Sequence, residues 1–420
     1  MKRVYFFLFA CMAILVSSAQ PLKRVAPAKV GMDAHQLTYA DTIIQTAISQ
    51  GDIPGAVLAV VRHGKMAYLK AYGNRQTYPF PLPMTTDTHF DMASCSKCMS
   101  TTMCIMKLIE QGKIRLQDPV NMYIPGFLDW TDAKDKEQTN IRIYHLLTHS
   151  SGLRPYVDWE EVMKKYGSPC PDSLMVYISK MRRDFKPGTA FQYSCLNFVT
   201  LQHIIENITG QSLRDFAQNN IFRPLGMTNT DYLPCAPDTD GEIQNIAVPE
   251  WATLDNIPNE WKTNIAPTVK LSDGHVLTGI VHDQIARFLQ GGISGNAGLF
   301  STADDIAILC ATLQNGGEYR GQRILAPQTV NTMRTVPREL TSLGRALGWD
   351  SYSTHSSNKG DLFSSETYCH TGFTGTNIVI DPVTDTSVIL LINSVHPELG
   401  HSVLRLRSLV SNIIASSIIE

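Results

Sequence analysis

Residues Asp91 to Ser100 read DMASCSKCMS. Ser94–Cys95–Ser96–Lys97 spells Ser-x-x-Lys, and Cys95–Ser96–Lys97–Cys98 spells Cys-x-x-Cys across the same residues. The first implies acyl transfer by a serine; the second implies a thiol redox pair or a metal site. The residues that follow, SKCMSTTMCIMKLIEQGK, set Met99, Met103, Met106 and Leu108 along one apolar side and stop near Gly112, so a helix is predicted from Ser94. Residues three apart on a helix share a face, so Lys97 can reach the Ser94 hydroxyl. A helix N-terminus also favours developing negative charge, and a serine becomes nucleophilic only when a neighbouring base takes its proton. On these four residues alone the plainer reading is a helix-capping serine beside a solvated lysine. Ser-x-x-Lys recurs at Ser356–Ser357–Asn358–Lys359, inside the polar run SYSTHSSNKGD (351–361) with no helix behind it.

Working outward, DAHQLTYADTIIQTAIS (33–49) has helical spacing and a capping aspartate. GAVLAVVRHGKMAYLKAYG reads as a β-hairpin turning at His63–Gly64. SLMVYISKMRR, FVTLQHIIENITG, SLRDFAQNNIF and DDIAILCATLQNGG read as helices. After Arg320 strand signals return: TGTNIVIDPVTDTSVILLINS gives two β-rich runs, and HSVLRLRSLVSNIIASSIIE a final amphipathic helix. Strands lie at both ends and helices in the middle. The expected fold class is α/β (α+β), with a sheet from about residues 20–90 and 316–420 and a mostly helical lobe over about 91–315.

The chain has 420 residues, 43% of them hydrophobic, enough for a large core. Net charge is −2 with no long basic or acidic run, which gives no footing for nucleic acid or a membrane surface as partner. Lys2 and Arg3, the apolar stretch Val4 to Val16 and the small residues Ser17–Ser18–Ala19 read as a secretory signal, 1–19, cut near Ala19. The stretch is short for a bilayer span. A lipid anchor at Cys11 is the less favoured alternative, because more apolar residues follow it. Residues 20–420 are then the exported protein, periplasmic or extracellular, with no later membrane span. Eight cysteines remain after Cys11, spread through the chain, and buried free thiols are the default for them.

Other constellations carry less. Cys95-x-x-Cys98 has no second pair to complete a zinc site. His145 and His149 stand four apart and read as loop braces rather than metal ligands. His282–Asp283 either borders a site or makes a structural hydrogen bond. The sequon Asn207–Ile208–Thr209 falls inside a helix. His-Glu-x-x-His and Gly-x-Ser-x-Gly are absent.

Four further stretches join Ser94–Lys97: LLTHSSGL (146–153), PGTAFQYS with Tyr193, NAGLFST (296–302), and His370–Thr371–Gly372 in HTGFTGT. In this order and at these separations the chain resembles the serine β-lactamase and penicillin-binding family, in its class C β-lactamase, D-alanyl-D-alanine carboxypeptidase and esterase branch. The resemblance spans about residues 30–400. It implies a β-lactamase/transpeptidase-like fold, an antiparallel sheet flanked by helices with an inserted helical lobe. It implies Ser94 as nucleophile, Lys97 and Tyr193 as its base, the backbone N–H groups of Ser94 and Phe373 as oxyanion hole, and His370, Thr371 and Gly372 against the substrate. That chemistry requires no cofactor or metal.

Two departures bear on substrate. Cys195 stands where the family often has an asparagine whose carboxamide holds the acyl amide; Asn197 is close, at a different position, and Cys195 and Asn197 are both candidate substrate-binding residues. His370 stands where many members have lysine, and an imidazole is mostly neutral at pH 7. Ester, D-alanyl peptide and β-lactam therefore all stay open as substrate. So does a sensor that acylates without turnover.

Overall fold

Gly55–Arg62 (β1) is an unbroken apolar run, and the following strand folds back on it antiparallel through His63 and Gly64. Both turn residues have positive φ, 51° and 64°. That is the two-residue hairpin geometry whose twist matches its strands, and Gly64 adopts it without a Cβ clash. The computed structural model describes residues 21–234 and 257–420. The expected signal segment 1–19 with Cys11, and Cys235, lie outside the described residues.

Helix α1 (Ala34–Ser49) precedes β1; the Asp33 carboxylate caps it by accepting the N–H groups of His35 and Gln36. After β1 come β2 (Lys65–Gln76) and the short β3 (Leu82–Pro83). The chain then leaves for the helical lobe through β4 (Phe90–Asp91). Helix α2 (97–110) is wound as a π-helix over Lys97–Thr102 and as an α-helix over Met103–Glu110. The lobe continues through short helices and α3 (Cys195–Thr209), β5 (Asp231–Tyr232), β6 (Leu299–Ser301) and α4 (Ala303–Gln314). The chain returns to the main sheet as β7 (Tyr368–Thr371), β8 (Asn377–Asp381) and β9 (Thr386–Ile392), and α5 (Leu404–Ser416) follows.

The six-stranded sheet runs β7-β8-β9-β1-β2-β3, antiparallel throughout. Pairing β1 with β9 joins the two ends of the chain: Ala56 faces Ile392 and Arg62 faces Thr386. Both faces of these central strands are covered, which explains their continuous apolar runs. Along β1, Val57, Ala59 and Val61 enter the main core, while Ala56, Leu58 and Val60 face the layer formed by α1 and α5. Along β9, Ile389 and Leu391 take the first side and Val388, Leu390 and Ile392 the second.

The lobe differs from expectation in two ways. It holds a three-stranded sheet, β4-β6-β5, whose strands are two or three residues long, too short to show a period. Helices also form at Trp159–Tyr166 within it and at Pro327–Arg334 beyond it, where polar residues hide the apolar spacing. Among the described residues no helix is long and apolar enough to cross a membrane.

Ile389 is fully buried under the main core. Ile389→Ala is expected to lower unfolding free energy by about 2–5 kcal/mol in urea titrations, through lost burial and the cavity left behind. A loss under about 0.5 kcal/mol would show that this strand is not a packing centre of the core.

Candidate active site

The segment before α2 makes a sharp elbow. Ala93 has φ 44°, a costly value for a residue with a Cβ, and such strain collects at functional positions. Asp91 holds the elbow: its Oδ1 accepts the Ala93 N–H at 2.9 Å and its Oδ2 accepts the His282 N–H at 2.7 Å. From the other side Thr374 Oγ1 donates to the Asp91 carbonyl (2.8 Å) and Thr376 Oγ1 to the Met92 carbonyl (3.1 Å). The turn after His370–Thr371–Gly372 is therefore stitched to the residues that carry Ser94. Gly372 is required there, since a Cβ would sit 2.1 Å from Thr376 Oγ1 and 2.6 Å from the Met92 carbonyl oxygen. Arg407, on α5, donates to the Gly372 and Thr376 carbonyls and braces the turn from behind.

Ser94 is partly exposed and opens on a cavity of about 490 Å³, shared with Tyr193, His370, Thr371, Gly372 and Phe373. Lys97 is fully buried one turn on. Its ammonium donates to Ser94 Oγ (2.9 Å), to the Asn296 carbonyl (2.8 Å) and toward Cys195 Sγ (3.6 Å). Burial opposes that charge, but Cys195, Tyr193 and Asp283 together outweigh it, and Lys97 is held above the ordinary lysine value. Tyr193 lies with its ring centroid 5.1 Å from Lys97 Nζ. Burial dominates and raises its phenol above the ordinary value, although Lys97 and a hydrogen bond with Ser94 pull it back toward the phenolate.

Tyr193 is placed by two zipped loops. The Gly188 N–H reaches the Ser150 carbonyl, the Gln192 N–H the His149 carbonyl, and the Cys195 N–H the Pro155 carbonyl. His149, at φ 56°, stacks on the Tyr193 ring at 4.3 Å. Its Nδ1 accepts from the Ser194 N–H and from Asn197 Nδ2, which leaves the ring proton on Nε2. Asn197 therefore faces inward, its Oδ1 accepting from Ser151 and its carboxamide away from the cavity. Cys195 does face Lys97. Among the described residues no backbone carbonyl takes the N–H of Ser94 or of Phe373, so both remain available to an oxyanion.

The remaining candidates fall elsewhere. Ser356 donates to the Ser353 carbonyl and Lys359 to the Ser351 and Thr367 carbonyls, so the second Ser-x-x-Lys does not pair. Its loop nonetheless lines the cavity through His355 and Asn358. Cys95 and Cys98 are fully buried, bonded to Thr376 Oγ1, the His370 carbonyl and the Cys95 carbonyl. Burial pushes the Cys95 thiol up to about 11. His145 Nδ1 accepts the Arg142 N–H and braces its helix start. His282 joins the site border, its ring stacked on exposed Phe373 at 5.5 Å. Asp283 accepts from Tyr156 and the Ala286 N–H. His149, Asn296, Asp91 and Arg407 carry no motif of their own; only His149 and Asn296 lie inside glycine-marked stretches that sequence reading singles out.

A model of the family described as Beta-lactamase matches residues 40–411. The chain belongs to the beta-lactamase family. It is therefore an enzyme of the serine-hydrolase type found in β-lactamases and penicillin-binding proteins. A relative from Escherichia coli (strain K12), named "Putative D-alanyl-D-alanine carboxypeptidase", is 32% identical over 411 residues, covering 94% of this chain and 92% of its own. Among solved structures, "EstCE1, a hydrolase with promiscuous acyltransferase activity" superposes with TM-score 0.68 at 23% identity, over 91% of this chain and 99% of its own. The octameric penicillin-binding protein homologue from Pyrococcus abyssi gives 0.63 at 20% identity, over 91% and 79%. These two likenesses show the fold of this beta-lactamase family member.

Asp91 gives the site a measurable pH signature. Burial pushes its carboxyl up to about 6 from 3.8, against the Ala93 and His282 N–H groups that favour ionisation. A carboxyl raised on folding holds its proton more tightly in the folded chain. Its stabilising contribution is whole below 3.8 and is lost as pH rises through about 6. From about pH 4 to pH 7 the wild type should lose roughly 3 kcal/mol relative to Asp91→Asn, read from urea unfolding across pH. A difference that stays flat over that range contradicts the assignment.

Proposed function

We propose that this chain is an exported serine hydrolase that cleaves an ester or amide through an acyl-enzyme on Ser94, as an esterase or a D-alanyl-D-alanine carboxypeptidase-like enzyme. The observation that carries the reading is the 2.9 Å contact between buried Lys97 and Ser94 Oγ, with Tyr193 alongside and a cavity in front. The export part rests on the 1–19 pattern.

In the first step Ser94 Oγ gives its proton to Tyr193 and bonds to the substrate carbonyl carbon. Lys97 and Tyr193 act as one coupled group. An ammonium already donating to Ser94 Oγ cannot itself take that proton, so the acceptor is Tyr193 after its phenol has lost its own proton to solvent, against the burial that raises it, with the Lys97 ammonium holding the resulting phenolate. The oxyanion accepts from the Ser94 and Phe373 N–H groups; one such donor contributes about 2.7–4 kcal/mol to lowering the barrier. Collapse breaks the carbonyl–leaving-group bond, and Tyr193 returns the proton to the leaving group. Water then repeats the sequence on the Ser94 ester and frees the acid.

The relatives' names bring a D-alanyl peptide into consideration. Cys195 favours esters: no carboxamide stands at its position, and Asn197, turned to the core, does not replace one. An ester has no amide N–H to be held there.

A fluorophosphonate probe should add once, on the peptide carrying Ser94, and Ser94→Ala should abolish labelling. Label on Ser356 or a cysteine, or undiminished labelling of Ser94→Ala, removes the reading. Steady release of chromophore from a short acyl ester marks an enzyme; a single burst marks a non-turnover sensor.

Cys195→Asn should raise amide or lactam turnover relative to ester turnover by roughly three- to tenfold, the worth of about one neutral hydrogen bond. Wild-type enzyme that prefers a cephalosporin to a short-chain ester would contradict the ester preference.

A further inference from the structure

Arg345 is 2% exposed and lines the Ser94 cavity. Its guanidinium carbon stands 5.8 Å from the Tyr193 ring centroid and 5.5 Å from that of Phe191. Its Nη1 pairs with Asp350 Oδ2 at 3.0 Å, while Nε and Nη2 are buried with no hydrogen-bond partner among the described residues. Asp350 also accepts from the Ser353 N–H and hydroxyl. A buried cation with a single carboxylate contact is a poor way to brace a turn, since its desolvation is incompletely offset. Residues 345 and 350 already pair through their backbones as an isolated bridge. The charge therefore asks for a function, and the group beside it is Tyr193.

We infer that Arg345 is a positioning residue for catalysis, the second cation beside Tyr193 after Lys97, favouring the phenolate form that takes the Ser94 proton where position 370 offers a neutral imidazole. The inference rests on the proposed roles of Ser94 and Tyr193.

Every element packed around Tyr193 contributes a facing group. The nucleophile segment brings Ser94 and Lys97, the start of α3 just after the tyrosine brings Cys195, and the 148–152 loop brings His149 under the ring. The polar loop brings His355 at 6.2 Å, β7 brings His370 at 6.3 Å, and Arg345 comes from the segment before Asp350. Asp283 faces Lys97 and Cys195. Burial, with Arg345 and Lys97 adding to it, holds His149 and His370 well below the ordinary imidazole range. Both are neutral at pH 7, so the two permanent cations of the cluster are Lys97 and Arg345. A cation near a phenol favours the phenolate, and Arg345 pulls Tyr193 down against burial.

The test measures single-turnover acylation by a neutral short-chain chromogenic ester against pH. Variants are Arg345→Met, Arg345→Lys, and the double variant Arg345→Met with Asp350→Asn, which leaves no charge buried alone if the single variant does not fold. Near-ultraviolet phenolate absorbance is titrated in parallel, each protein against the same protein carrying Tyr193→Phe. Without the cation the phenol titrates higher, so the rising limb of the acylation rate and the Tyr193 titration should both move up by about one pH unit, a tenfold rate loss below the limb. Arg345→Lys should recover at least half of that shift, and KM for the neutral ester should hold. A limb and a phenolate titration that stay in place in any folded charge-removing variant overturn the inference. So does a rise in KM confined to anionic substrates with no movement of the limb, which would make Arg345 a substrate contact. Ser94→Ala, run alongside, separates the two readings: if it acylates like wild type, the acyl-enzyme reading falls. If it is inert while the limb stays put, the Arg345 inference alone falls.

Discussion

A charged lysine with no solvent around it is the constraint on which this molecule turns. Lys97 is buried completely, and three acceptors receive it: Ser94 Oγ, the Asn296 carbonyl and Cys195 Sγ. An ammonium has three donors, so the set is filled. Each acceptor arrives on a different segment: the elbow after β4, the loop before β6, and the first residue of α3. Remove any one and a buried charge loses part of its coordination, which is the costly kind of loss. The lobe is therefore organised around the contact between Lys97 and Ser94.

The main sheet does a different job. By pairing β1 with β9 it closes the two ends of the chain on each other, and it carries His370–Thr371–Gly372 to the edge of the cavity on β7. The stitching through Thr374, Thr376 and Arg407 then sets the Ser94 and Phe373 N–H groups relative to each other. The sheet and the lobe each supply one wall, and the turn after β7 is where a small change in backbone would be felt at the serine.

How much of this was legible in sequence follows from range. β1 and β9 were readable because burial on both faces leaves only apolar residues, and α2 because its methionines recur at helical spacing. Ser94, Lys97 and Tyr193 were readable as residues of a recurring order. The rest depends on contacts between distant segments. A carbonyl such as that of Asn296 has no side-chain signature. Arg345 and Asp91 look like ordinary charged residues until folding buries them. Asn197 appeared to be a substrate group from its nearness to Cys195, but two steps along a helix turn it onto the opposite side, against His149 and Ser151. The polar loop 351–361 gave no hint in composition that His355 and Asn358 would wall the cavity.

The central claim is that Lys97 readies Ser94 to carry the substrate's acyl group. Its most direct test is mass spectrometry of the enzyme quenched during turnover of a short acyl ester, with peptide mapping of the adduct. The account predicts one acyl group, on Ser94, that rises and then decays as substrate is consumed, and none in Lys97→Met. An acyl group carried on Cys195 or any other residue, or full turnover without acylation of Ser94, would contradict it.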